Sequence, residues 1–308
     1  MPQDRHWPRV AVVGTGAVGG YFGGMLAHAG APVTMIGRKS FVEAVKHAGL
    51  HLDTLYFEKR VHVEASTEMS AVRGADVVLF CVKTTDNAAT ARELVPFLAA
   101  SATVISLQNG VDNVEQIHAT ANIEALLAAV YVAASVPEPG SVKHVGRGDL
   151  VVGPDCARTK LVAELFTRAK VPCRISENIA GELWTKLLWN CALNAVSAIG
   201  QARYGRIAES LDGRGLVEAI VDEVMAVAGA VPVVLPCLES PKAGMAGAMK
   251  IATQMAGALS STAQDINRGK PTEIDSLNGY ISRRGAELGV PTPINHALFT
   301  LVKLLEGR

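Results

Sequence analysis

The stretch Arg9-Val-Ala-Val-Val13-Gly14-Thr15-Gly16-Ala17-Val18-Gly19 decides the fold of the first half of this chain. Residues 9–13 are a short β-branched run, which favours a strand, and glycines end it. Residues 18–29 read as a helix closed by Gly30. A Gly-x-Gly-x-x-Gly pattern is weak alone, but between a strand and a helix it marks a dinucleotide-binding turn. There Gly14 permits the tight turn, Gly16 lets the backbone approach a pyrophosphate, and Gly19 allows close helix–strand packing. The helix start adds amide donors and a favourable dipole for the anion. The loop from Gly14 through Thr15, Gly16, Ala17 and Val18 to Gly19 is therefore expected to hold a cofactor. A purely structural glycine turn is the alternative.

The alternation continues outward from this loop. Residues 32–36 form a second strand, 61–63 are weakly strand-like, 75–82 and 103–107 are apolar strands, and 86–100 are helix-like. Later strands are expected at 128–134 and 149–152, joined through the turn cluster Pro137-Glu-Pro-Gly140. Such βαβ alternation with continuous apolar strands argues for a parallel sheet covered on both faces. From about Asn178 the strand pattern stops. Helices are expected at 180–199, 215–230, 242–266 and 273–288, the last ending at Gly289 before Pro291. The expected fold class is α/β: an N-terminal, doubly wound Rossmann domain over residues 1–177, then an all-helical domain over 178–308. No Pro/Ser-rich linker separates the two, so they are expected to pack around a cleft.

A chain of 308 residues suits two domains. Its 29 Lys and Arg balance 29 Asp and Glu, which gives no electrostatic reason to expect nucleic acid or an anionic membrane as partner. The five cysteines are scattered, odd in number and form no Cys-x-x-Cys pair. That pattern reads as reduced thiols in a cytoplasmic protein, with neither a disulfide framework nor a metal site. Residues 10–31 are apolar and small and follow Arg5 and Arg9, but their glycines fit the cofactor turn better than a signal peptide. No stretch approaches the ~20 continuous apolar residues of a membrane span. The Gly/Ala/Met-rich run 243–259 suits close packing against another helix, within the subunit or across a homodimer.

The end of the second strand discriminates between cofactors. An acidic residue there would serve the ribose hydroxyls of NAD; this chain has Ile36-Gly37-Arg38-Lys39-Ser40. Arg38, with Lys39 beside it, suits a 2′-phosphate and favours NADP, unless both are merely solvated cations. Lys83 follows the apolar strand at its carboxyl end, and Asn109 follows the next strand in Gln108-Asn109-Gly110. Ligands of open α/β sheets bind off those ends, although Lys83 also reads as an ordinary charge and Asn-Gly as a turn. In the helical half, Lys186, Asn190 and Asn194 recur every four residues in an apolar stretch, hence on one side of a helix. Burying a cation and two amides is costly unless something satisfies them. A lysine reaching solvent and amides bridging helices are the alternative. Ser261 and Glu273 lie in a second polar patch, where spacing does not rank Asp265, Glu273 and Asp275.

These segments together resemble the ketopantoate reductase family. The resemblance rests on Gly14-Thr-Gly-Ala-Val-Gly19, Gln108-Asn-Gly110, Glu182-Leu-Trp-Thr-Lys-Leu-Leu188 with Asn190 and Asn194, and Gln264-Asp-Ile through Thr272-Glu-Ile-Asp275 with Asn278-Gly279. They run in family order over nearly the whole chain. The resemblance implies NADPH-dependent reduction of ketopantoate to (R)-pantoate, in pantothenate and coenzyme A biosynthesis. It implies that Lys186 is the general acid and that Glu273 binds substrate and orients the Lys186 region. Asn190, Asn194 and Ser261 would hold the substrate's hydroxyl and carboxylate. Asn109 would lie near the nicotinamide ribose and substrate with Lys83 close by, and Arg38 would contact the 2′-phosphate. Thr185, Trp189 and Gly269-Lys-Pro271 depart from the family pattern without removing a motif residue. A paralogue acting on another 2-oxoacid is the alternative enzyme. A non-catalytic NADP sensor is the alternative of another class, and it would need neither a proton donor nor a substrate clamp.

Overall fold

The computed structural model of the chain describes residues 6–236 and 238–307. Arg5 and one of the five cysteines, Cys237, lie outside them. The chain divides into two compact units. One holds the residues up to Gln108 together with Asp112–Ile179; the other holds Asn109–Val111 and the residues from Ala180 onward.

The first unit runs β1 (Val10–Val13), α1 (Ala17–His28), β2 (Val33–Ile36), α2 (Lys39–Ala48), β3 (Leu50–Asp53), β4 (Glu58–Val61) and β5 (Glu64–Ser66). It continues with β6 (Val77–Phe80), α3 (Asn87–Leu94), β7 (Thr103–Ser106), α4 (Asn113–Ala121), β8 (Ala125–Ser135), β9 (Ser141–Gly153), α5 (Ala157–Arg168) and β10 (Cys173–Ile175). The sheet order is β4-β3-β9-β8-β7-β6-β1-β2-β5, with β10 beside β9. The six strands from β8 to β5 are all parallel. The chain walks from β1 out to β2 and β5, then returns to the other side of β1 through β6, β7 and β8. This is the doubly wound Rossmann order, with its switch point between β1 and β6.

Both faces of that sheet are covered, which explains why its strands lack polar alternation. Val10 and Val12 share a core with Phe22 of α1, Phe41 of α2 and Phe166 of α5. Ala11 and Val13 point the other way, into a core with Leu94 of α3 and Ile117 of α4.

Several local expectations are corrected. The sheet is mixed rather than parallel throughout, because β8 and β9 form a long antiparallel hairpin around the Pro137–Gly140 turn. The strand expected at 149–152 is the end of β9. The strand expected at 61–63 is instead a break between β4 and β5: Val61 and Val63 are both buried, but the chain leaves one strand and enters another between them. The helix expected at 86–100 stops at Leu94. Pro96 cannot continue it, and the last turn tightens to a 3-10 form.

The second unit contains α6 (Ile179–Gly200), α7 (Tyr204–Glu209), α8 (Leu211–Gly229), α9 (Pro241–Gln254), α10 (Ser261–Asn267), α11 (Asn278–Leu288) and α12 (Pro293–Glu306). Among its described residues there is no strand. Leu187, Leu188 and Cys191 of α6 pack with Val221 and Val224 of α8, Ile281 of α11 and Val302 of α12. Val111 joins this core, which is why the short segment Asn109–Val111 belongs with the helices. The buried Glu223 caps α12: Oε1 accepts from the Ile294 amide and Oε2 from the Asn295 amide, each at 2.8 Å. A carboxylate there satisfies orphan amides and complements the helix dipole.

The helix expected at 242–266 is two helices. It ends after Gln254, and Ser260 starts α10 by accepting from the Ala263 amide with its side chain. The helix expected at 273–288 begins only at Asn278, after a 3-10 turn over Ile274–Ser276. No helix among the described residues is long and apolar enough to cross a membrane.

Candidate active site

In the first unit the strands around the switch point stop level with one another. Val13 pairs with Ile36 and Phe80, and Phe80 with Ser106. Gly14, Gly37, Cys81 and Leu107 therefore follow along one carboxyl edge. Gly14 has φ +100, and a Cβ there would lie 2.7–2.8 Å from the Cys81 and Val82 backbone. Only glycine fits that turn. Gly16 is different: a Cβ at Gly16 would meet nothing within 4 Å. Protein packing does not require glycine there, but its absence of side chain leaves open space before the first amides of α1. No side chain caps this helix start, and its first turn carries no acid. Open space in front of uncapped amides fits the pyrophosphate of a dinucleotide.

Arg38, at the N-cap of α2, is exposed; Lys39 lies 3.8 Å from Glu43, a loose surface pair. Lys83 is half-buried at the start of the 3-10 turn Thr84–Asp86. Gln108 locks two strand ends together. Its amide donates to Val82 O at 2.8 Å and Asn87 Oδ1 at 2.6 Å, and Ser106 Oγ donates to its Oε1 at 2.7 Å. Gln108 of the Gln-Asn-Gly motif is thus a buried structural tie, and its place directly after an apolar strand is the sequence feature that points to it.

In the second unit three residues far apart in sequence form one row. Lys186 Nζ donates to Asn109 Oδ1 at 2.8 Å, and Asn109 Nδ2 donates to Glu273 Oε2 at 2.8 Å. The amide thus lies between an ammonium and a carboxylate. Its orientation follows from chemistry, since the flipped amide would set donor against donor. Lys186 sits on the α6 face predicted from spacing, while buried Leu183, Leu187 and Leu188 hold the helix in the core. The ammonium is anchored by Asn109, and the group is only partly buried.

Asn190 follows one turn later on α6 and is half-buried. Asn194, another turn on, is 4% exposed; its Oδ1 accepts from the Tyr204 hydroxyl at 2.9 Å. Its backbone carbonyl accepts from Ser260 Oγ, also at 2.9 Å. Burial raises the Tyr204 phenol far above its ordinary range, so it remains a donor. With Oδ1 taken, the amide donors of Asn194 remain to meet an acceptor. Ser261 opens α10 and is exposed; its buried neighbour Ser260 ties α10 to α6. The structure thus brings Lys186, Asn109 and Glu273 together, and joins Asn194 to Tyr204 and Ser260. Sequence reading missed Tyr204 and Ser260, because neither falls on the spacing of the α6 row.

Comparison with known proteins covers both units. Residues 10–155 match the family model described as Ketopantoate reductase PanE/ApbA, and residues 178–306 match Ketopantoate reductase PanE/ApbA C terminal. The chain is 31% identical over 301 residues to the 2-dehydropantoate 2-reductase of Vibrio cholerae, covering 96% of this chain and 97% of that one. It is 30% identical over 306 residues to the enzyme of that name from Halobacterium salinarum, covering 97% and 99%. Among solved structures, a PanE/ApbA family ketopantoate reductase from Ralstonia eutropha superposes with a TM-score of 0.91 at 46% identity, over 97% of this chain and 98% of that one.

Proposed function

This chain belongs to the ketopantoate reductase family, and on that premise we propose that it uses NADPH to reduce ketopantoate (2-dehydropantoate) to (R)-pantoate, in pantothenate and coenzyme A biosynthesis. Its enzyme class is that of oxidoreductases acting on CH–OH groups, and the Rossmann unit of such a reductase implies a nicotinamide cofactor. The observation that carries the reading is the row Lys186–Asn109–Glu273.

When bound, the nicotinamide supplies a hydride to the keto carbon. Lys186 supplies the proton. As negative charge develops on the keto oxygen, the Nζ ammonium stabilises it and donates, completing the alcohol. Asn109 holds Nζ through its Oδ1 and so directs the ammonium. Glu273 fixes Asn109 from the far side and offsets the ammonium charge through it. Asn190, Asn194 and Ser261 grip the carboxylate and hydroxyl. Asn194 suits the carboxylate, because Tyr204 occupies its acceptor and leaves its donors. The loop Gly14–Gly19 holds the pyrophosphate, and Arg38 pairs with the 2′-phosphate, with Lys83 near the cofactor. The four described cysteines are free, which suits a reducing, cytoplasmic setting.

A second reading keeps the chemistry and changes the substrate to another 2-oxoacid. The Tyr204–Asn194 bond favours it, since a buried phenol takes one of the polar positions that a hydroxylated substrate would use. Initial rates of NADPH oxidation with a panel of 2-oxoacids separate the two. Ketopantoate should give the highest kcat/KM. A higher value for an unhydroxylated 2-oxoacid would establish the second reading, and no turnover with any would remove both.

A further inference from the structure

The turn that carries Glu273 is held from outside by the last turn of α12. Thr272 is 1% exposed, and its amide and its hydroxyl both donate to Glu306 Oε1, each at 2.6 Å. The same hydroxyl accepts from the Ile274 amide at 3.2 Å, closing a side-chain turn with Glu273 at its centre. On the other flank Lys303 reaches Asp275 Oδ2 at 3.0 Å and Glu306 Oε2 at 2.8 Å. Arg283 also donates to the Asp275 carbonyl, at 2.8 Å. Burial alone would raise the Glu306 carboxyl, but the bonds from Lys303 and Thr272 outweigh it and hold it below its ordinary range. Glu306 is therefore a carboxylate, and its bonds to Thr272 are charge-assisted.

We propose that Glu306 is a positioning residue for the reaction: through Thr272 it fixes the turn from which Glu273 reaches Asn109, and so sets Lys186. The inference rests on the reading of Lys186 as proton donor. Hydrogen bonds join Glu306 to Thr272, one peptide link leads to Glu273, and hydrogen bonds continue from Glu273 to Asn109 and from Asn109 to Lys186. Glu273 sits on a short turn with no helix of its own to stiffen it. Displacement of a catalytic group by about 1 Å costs up to ~10²-fold in rate.

The test is steady-state kinetics of the full chain with NADPH and ketopantoate, or the best 2-oxoacid of the panel, for Glu306→Ala, Thr272→Val, the double variant and Thr272→Ser. Each of the first two should lower kcat by roughly tenfold or more, with KM for NADPH moving far less. The double variant should be no worse than the poorer single one, because both break one link. Thr272→Ser, which keeps the hydroxyl, should restore kcat. Melting curves establish that each variant is folded at the assay temperature. If Glu306→Ala does not fold, the Thr272 pair carries the test from the other side of the bond. Native kcat in the folded variants, or losses that multiply in the double variant, would overturn the inference. Native kcat in Glu306→Ala beside an inactive Glu273→Gln would remove the inference and leave the site reading standing. Full turnover in both Glu273→Gln and Lys186→Ala would remove the reading itself, and the inference with it.

Discussion

Asn109 is the residue on which the polar chemistry of the helical unit turns. It accepts from an ammonium and donates to a carboxylate, and a neutral amide does both through two separate atoms of one rigid group. An aspartate there would repel Glu273. A leucine of similar size would leave Lys186 and Glu273 each without the partner that sets its direction. Asn109→Leu is therefore expected to lower kcat by about tenfold to a hundredfold, read in initial-rate assays. Rates equal to the native enzyme would mean that Lys186 is positioned without it. The Lys186, Asn190 and Asn194 row was visible in sequence because neighbours on a helix recur at a fixed interval. The pairing of Asn109 with Glu273 was not, because 164 residues separate them and no local pattern encodes a contact at that distance.

At the scale of elements, the strands β1, β6 and β7 were legible because every residue in them is buried, and α6 because its polar row recurs at helical spacing in an otherwise apolar stretch. The edge strand β4 was not: its Glu58-Lys-Arg60 segment is exposed, and charges on an edge strand protect it from pairing with other chains. The break between α9 and α10 was hidden because small apolar residues run through it, and the cap that restarts the helix is a single serine. The helix α12 is held at its start by Glu223 and grips Thr272 at its end by Glu306. Glu223→Ala would leave two amides of the α12 start without their acceptor. A loss of about 2–4 kcal/mol is expected, seen as a lower Tm in thermal or denaturant melts. A Tm equal to the native one would show that water replaces the carboxylate there.

For the whole molecule, the two-part pattern of alternating strands and helices followed by helices alone was readable because each part has its own hydrophobic period. The β8–β9 hairpin was the main departure. Where the two strands pair near their buried ends, Ala128–Val130 and Leu150–Val152 are as apolar as the parallel strands, and burial does not record direction; the outer part of β9, with Lys143 and Arg147, carries no strand signal. The proposed preference for NADPH rests on Arg38, a residue whose position at the end of β2 matters more than its type. Arg38→Ala should raise the KM for NADPH far more than that for NADH in parallel titrations. An equal rise in both would withdraw the 2′-phosphate assignment.

The central claim is that Lys186 donates the proton that completes reduction. The most direct measurement compares the single-turnover rate of NADPH oxidation by the native enzyme and by Lys186→Ala, with NADPH binding followed separately by fluorescence. The account predicts a rate lower by ~10²–10⁴ with NADPH affinity largely retained. A native single-turnover rate in Lys186→Ala, or a loss of NADPH affinity that matches the loss of rate, would contradict it.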